Sequence, residues 1–165
     1  MVNLFKAQNG MNIVGQGGKI ILFIIPFALA AIMLHLNLPK LVSLPQGLNV
    51  IRPVGYILLF FGIILWLSAV IQLLNGFPKG RLITTGAYGL CRNPIYSSMI
   101  LFILPAISLL TLTWVYLTLA LFLYIAVVIF IRKEENRLKQ VFGDEYSAYK
   151  EKVARIMLFI KPHPQ

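Results

Sequence analysis

From Ile95 to Ile131 the chain runs for 37 residues without a single charged side chain. As one continuous helix at about 1.5 Å per residue this stretch would be roughly 55 Å long. The hydrocarbon core of a bilayer is only about 30 Å thick. The run must therefore fold back on itself. The break is expected near Ser108 to Thr113, where Ser108, Thr111 and Thr113 interrupt the apolar pattern. This makes the run a tight hairpin of two membrane spans. Pro105 lies in its first arm, where the missing N–H kinks the helix or unwinds its end.

Two further apolar segments precede the hairpin. Ile20 to Leu38 is 19 residues long and uncharged, with Pro26 as a possible kink and His35 near its end. That histidine reads either as an interfacial residue or as a ligand or proton carrier. Pro39 to Pro53 forms a short connection with three prolines and only Lys40 and Arg52 charged. Val54 to Leu74 is the second span, and Gly55, Gly62 and Ser68 give it a small-residue face for close helix packing. Asn75 to Gly80 stops that helix with turn residues. With 59% hydrophobic residues and a mean hydropathy of +0.83, the chain exceeds what a soluble domain carries. The expected fold class is an all-α integral membrane protein of about four transmembrane helices, including the hairpin, followed by cytosolic amphipathic helices.

Residues 1–19 read as a flexible or surface-lying lead-in. Ala28-Leu29-Ala30 fits a signal-peptide cleavage pattern but sits inside the apolar stretch, not after it. Four spans bring both ends of the chain to one side. That side would hold 13 of the 15 lysines and arginines, and the other only Lys40 and Arg52. The asymmetry predicts cytoplasmic N and C termini. It also accounts for the net charge of +10 without nucleic acid, since no basic stripe with interleaved stacking aromatics occurs. Cys91 is the single cysteine, which excludes an intrachain disulfide and a cysteine-based zinc cluster.

After Ile131 the character changes. Arg132 to Phe142 continues the last helix beyond the membrane, Gly143 ends it, and Asp144 is a candidate N-cap for a short helix, Glu145 to Val153. Tyr146, Tyr149 and Val153 share one face of that helix. The tail from Arg155 to Gln165 is expected along the membrane surface. The chain thus divides into a lead-in (1–19), a membrane core (20–131) and a C-terminal part (132–165), all within one membrane domain.

Two polar segments carry the chemistry. Thr84 to Tyr96 is a glycine-containing loop ending in Arg92-Asn93-Pro94-Ile95-Tyr96, and all five acidic residues fall between Glu134 and Glu151. Both lie on the same side of the membrane, so the hairpin returns Glu134 and Glu135 towards the loop. Adjacent carboxylates where a span leaves the membrane are costly unless they face cations or a polar ligand. Arg92 is the candidate protein cation, and a ligand's ammonium or ribose hydroxyls are the alternative. A solvated helix with Glu135 and Lys139 paired at i, i+4 explains the same residues more blandly. Asn93 and Pro94 suit the start of a helix, while free amides and an arginine there also suit a ligand carboxylate. Tyr88 and Tyr96 read equally as interfacial belt residues or as rings stacking on a base or near a cation.

These segments together resemble the isoprenylcysteine carboxyl methyltransferases and their relatives, which are also similar to membrane phospholipid methyltransferases. The matching residues are Leu82-Ile83-Thr84-Thr85-Gly86-Ala87-Tyr88, Arg92-Asn93-Pro94-Ile95-Tyr96, Glu134-Glu135 with Leu138, Phe142-Gly143-Asp144-Glu145-Tyr146, Tyr149 and Lys152-Val153, in the family's order over about residues 80–155. The resemblance implies a compact helical membrane enzyme that binds S-adenosylmethionine from the cytosol and admits a lipophilic small-molecule or lipidated acceptor from the bilayer. It implies a cofactor pocket lined by Tyr88, Arg92, Asn93, Pro94, Tyr96, Glu134 and Glu135. Tyr146, Tyr149 and Lys152 would close it and meet the acceptor. A carboxylate acceptor needs no base, and Arg92 or Lys152 would hold it in line for displacement at the sulfonium.

The chain departs from the family pattern at three places. Asn93 stands where histidine is frequent, Ala154 where proline is frequent, and Lys152 where arginine is frequent. Asparagine neither takes nor gives a proton near neutral pH, and lysine lacks the guanidinium fork. The expected activity is methylation of a lipophilic carboxylate. The alternatives are a phospholipid amine N-methyltransferase, an NADPH-dependent reductase similar to the sterol reductases, and a non-catalytic membrane scaffold.

Overall fold

The computed structural model describes residues 17–156, so the expected lead-in up to residue 16 and the tail from 157 to 165 lie outside the described residues. Helix α1 (Gly17–Asn37) is followed by a short α2 (Pro39–Val42) and a 3-10 turn over Gln46–Ile51. Next come α3 (Arg52–Gly76) and, after a polar loop, α4 (Ala87–Leu90) and α5 (Pro94–Ser98). A π-helical turn at Met99–Ile103 joins α5 to α6 (Leu104–Thr111), and α7 (Val115–Lys152) completes the chain. Four of these helical stretches are long and apolar enough to cross a membrane. The protein is an all-α integral membrane protein.

The hairpin breaks inside the window that the polar residues mark. α6 ends at Thr111, and Leu112 adopts a left-handed conformation with φ 51° and ψ 47°. The carbonyls left over at the end of α6 need donors. The Thr113 N–H donates to Ser108 O at 3.0 Å, and Ser108 Oγ donates to Thr113 O at 2.8 Å. The α2 segment braces this end, with Leu44 N–H donating to Leu112 O at 2.6 Å and Trp114 N–H to Val42 O at 3.1 Å. Pro105 acts on the turn before it. The Leu104 N–H reaches back to Met99 O, the wider π spacing, which accommodates a residue with no N–H of its own.

Within the described residues α1 already includes Gly17, three residues before the uncharged run. Ile20 is buried in the main apolar cluster, and the turn before it is held in place with it. That cluster joins α1, the α5–α6 arm and α7 through Ile100, Leu104, Leu119, Leu123, Val127 and Ile131. α7 is therefore the central helix, while α3 packs on the outside of the α5–α6 arm. Phe60, Phe61 and Ile57 of α3 are exposed, as expected for side chains that a bilayer covers.

α3 docks by close backbone approach. A Cβ on Gly62 would lie 2.7 Å from Phe102 Cβ and 2.9 Å from Ile103 Cγ1, both in the π-helical turn. No flexible side-chain end is available to give way. Gly62→Ala should therefore cost about 1–3 kcal/mol, read as a lower thermal midpoint of the detergent-purified protein. An unchanged midpoint would remove the close contact between α3 and the π turn.

Candidate functional site

The polar loop after α3 and the part of α7 beyond the apolar span meet at one end of the bundle, and a single carboxylate joins them. Glu135 accepts from Arg92 Nη2 at 2.7 Å and Nε at 3.2 Å, both on Oε1. It also accepts from Arg155 Nε at 3.1 Å on Oε1 and from Nη2 at 2.6 Å on Oε2. The Glu135 and Arg92 side chains are 5% and 7% exposed, and that of Arg155 is 27% exposed. Burial raises the Glu135 pKa, but the hydrogen bonds and charges of Arg155 and Arg92 outweigh it and leave the carboxyl below its ordinary value. The carboxylate in turn pushes Arg155 further up.

Arg92 has a second set of partners. Its Nη1 donates to Lys150 O at 3.0 Å and to Val153 O at 2.6 Å, the carbonyls at the end of α7. One guanidinium thus ties the loop to the side of α7 and caps the end of the same helix, a position that favours positive charge. The backbone adds to the tie. Arg92 N–H donates to Ala154 O at 2.8 Å and Asn93 N–H to Arg155 O at 3.2 Å. Asn93 occupies the N-cap position of α5, but its side chain makes no cap bond. Its Nδ2 instead donates to Arg155 O at 3.2 Å, because the returning chain offers a carbonyl there. Pro94 fills the first turn of α5, as its sequence position predicts.

The tail differs from expectation in the same region. Arg155 and Ile156 do not run along the surface. The helix stops at Lys152, Val153 is extended, and this step turns Arg155 towards Glu135 and buries Ile156. Lys152, placed beside the acceptor by resemblance, is exposed at the last helical residue. Arg155 is a partner of Glu135 that the sequence did not single out; its only signal was a basic residue one helix length after the glutamates.

A cavity of about 370 Å³ opens beside this clamp. Ile21, Leu73, Ile95 and Ile131 from the spans form its apolar side. Tyr88, Arg92, Asn93, Pro94, Tyr96, Glu134, Glu135, Tyr146 and Tyr149 all lie on its wall, and Lys152 does not. Arg81, Lys133 and Arg137 add three cations to the wall. Tyr149 donates its hydroxyl to Tyr88 O at 2.6 Å, and the Tyr146 and Tyr149 rings meet edge to face at 6.2 Å. Burial, with smaller contributions from Tyr149 and Glu134, raises the Tyr88 pKa. Burial also raises Tyr149 and pushes Tyr146 up to about 12. These phenols stay neutral at physiological pH and serve as donors and ring surfaces, not as bases. Cys91 is buried, with its Sγ donating to Ser97 Oγ at 3.2 Å, and so packs the loop against α5.

The volume lies within the range of small-molecule sites, roughly 300–1,000 Å³. The wall combines carboxylates, cations and neutral aromatic rings beside an apolar side.

Two outcomes follow from the clamp. Arg92→Ala removes one arm and strands two carbonyls, so stability should fall by roughly 3 kcal/mol or more. Because the folded Glu135 pKa is depressed, its contribution is complete above the ordinary value of 4.5 and disappears as the pH falls through the lower folded value. Near-UV circular dichroism from pH 7 to 3 should show an acid transition that Glu135→Gln lacks. Identical acid profiles would mean that the clamp contributes nothing.

The sequence profile of the phospholipid methyltransferase family matches residues 51–145, from the foot of α3 to just past Gly143. No curated protein and no solved structure matches the chain. The matched stretch contains the Arg92 loop, the hairpin and the Glu134–Glu135 pair, so it covers most of the cavity wall. Spanning more than half of the chain, the match makes this protein a member of the phospholipid methyltransferase family, an integral membrane methyltransferase.

Proposed function

We propose that the cavity holds S-adenosylmethionine and that the protein methylates a lipid acceptor reaching it from the bilayer. The observation that carries this reading is the composition of the wall. Span residues Ile21, Leu73 and Ile131 form one side and Glu134, Arg81 and the tyrosines the other. Such a wall suits a soluble donor meeting a lipophilic partner at the membrane boundary. When bound, S-adenosylmethionine supplies an electrophilic methyl group on a positively charged sulfur. Glu134 receives the donor's ammonium, and Tyr88 and Tyr96 present ring faces to its base and sulfonium. Tyr146 and Tyr149 exclude water, so that orientation and desolvation do the catalytic work. Both termini face the cytoplasm in this reading, in line with 13 of the 15 basic residues.

The geometry favours an amine headgroup over a lipophilic carboxylate as acceptor. Arg92, the expected carboxylate holder, donates to Glu135 and to two backbone carbonyls. Lys152, the other, is exposed and off the wall. Arg81 and Lys133 border the cavity and suit a lipid phosphate. A phospholipid amine acceptor satisfies both sets of facts and accords with the family match. Its proton leaves to water at the polar mouth of the cavity.

Calorimetric titration of the detergent-purified protein should show binding of S-adenosylhomocysteine and none of NADPH. Glu134→Gln should weaken that binding about tenfold, the loss of one charge-assisted contact. Labelled methyl from the donor should enter an ethanolamine phospholipid in preference to a prenylcysteine carboxylate. Absence of S-adenosylhomocysteine binding at concentrations well above cellular donor levels would overturn the donor assignment, and preference for the carboxylate would overturn the acceptor assignment.

A further inference from the structure

Arg155 lies beyond the stretch that the family profile covers and off the cavity wall, yet it holds one side of that wall in place. We infer that it is a positioning residue, the latch of a hinged flap formed by residues 144–156 that closes over the donor site; this rests on the donor reading above. The hinge is Gly143. Its φ of 52° and ψ of −122° interrupt an otherwise continuous helix. A Cβ there would meet nothing within 4 Å. Glycine is therefore required by the dihedral angles and not by lack of space, and the joint has room to move.

The flap carries Tyr146 and Tyr149, which complete the cavity wall. Tyr149 reaches Tyr88 O, the Ala154 and Arg155 carbonyls accept from the Arg92 and Asn93 amides, and Arg92 Nη1 donates to the Lys150 and Val153 carbonyls of the flap. Arg155 binds Glu135, and Ile156 joins the apolar cluster of Ile20 and Ile131. Most of these contacts are polar and sit at the end farthest from the hinge. Releasing them frees the tyrosine wall without separating a pair of packed spans. Arg92 and Arg155 also hold Glu135 in different ways. Arg92 is almost fully buried and ties the loop to α7, whereas Arg155 is the more exposed arm and belongs to the flap alone. Letting go of Arg155 leaves Glu135 paired and the loop anchored. A soluble donor thus gains a polar entrance separate from the apolar side facing the bilayer, and its binding favours the closed flap.

The Arg92 and Asn93 amides report the latch directly, since their acceptors lie on the flap. Hydrogen exchange should be measured on the full chain in detergent, with and without S-adenosylhomocysteine. In Arg155→Ala, exchange at residues 92 and 93 should rise about tenfold or more while α1 and α3 stay unchanged. Donor KM should rise about tenfold, with kcat falling far less. Arg155→Lys, which keeps the charge but loses the fork, should lie between the two. In the wild type, S-adenosylhomocysteine should slow exchange at the same amides. Unchanged exchange at 92 and 93 in both variants would overturn the latch, as would a loss of kcat at constant KM. If Arg155→Ala does not fold, Arg155→Lys alone decides by the same two readings. Faster exchange in the variants together with no effect of S-adenosylhomocysteine would uphold the latch and overturn the donor reading.

Discussion

A buried carboxylate shared by two arginines holds the polar end of this protein together. Glu135 leaves the membrane core on α7, Arg92 arrives from the loop before the hairpin, and Arg155 returns from the end of the described chain. Removing an ion from water is expensive, and one partner rarely repays that cost in full. Four hydrogen bonds from two forked guanidiniums satisfy the carboxylate on both oxygens. What the arrangement secures above all is specificity. Three segments far apart in sequence meet on one carboxylate, and the cavity lies beside that meeting.

The clamp also sets charges directed into the protein beside charges that border the cavity. Arg92 and Glu135 lie on the wall, but their hydrogen-bonding capacity is largely directed into the protein. Glu134, Arg81, Lys133 and Arg137 border the same space from exposed or half-buried positions. The tyrosines stay neutral because burial disfavours their charged form. Such a site is built for orienting and drying its contents more than for proton transfer, which suits a reaction whose electrophile arrives already activated.

Much of the fold was legible in the chain. An uncharged run too long for one crossing demanded a hairpin, and Ser108 and Thr113 marked its tip because helix ends need partners for their carbonyls. The Gly62 face of α3 and the break at Gly143 were likewise visible as residue types with few alternative uses. The pairing of Arg92 with Glu135 was also foreseeable, since the loop and the glutamates lie at the same end of the spans. The fate of Asn93 was not. Its local preference was to cap α5, and a carbonyl from residue 155 competed successfully for its amide. Lys152 and Arg155 exchanged importance for a similar reason. One extended residue after the helix end decides which of them faces inward.

The sequence by itself determined what belongs in the bilayer and what does not. Hydrophobicity and charge act residue by residue and sum along the chain, so spans, breaks and the polar end follow from composition and order. Only the tertiary structure decided which cations pair with Glu135. That choice depends on distances of about an ångström between side chains dozens of residues apart, where burial multiplies the value of each contact. No local pattern encodes it.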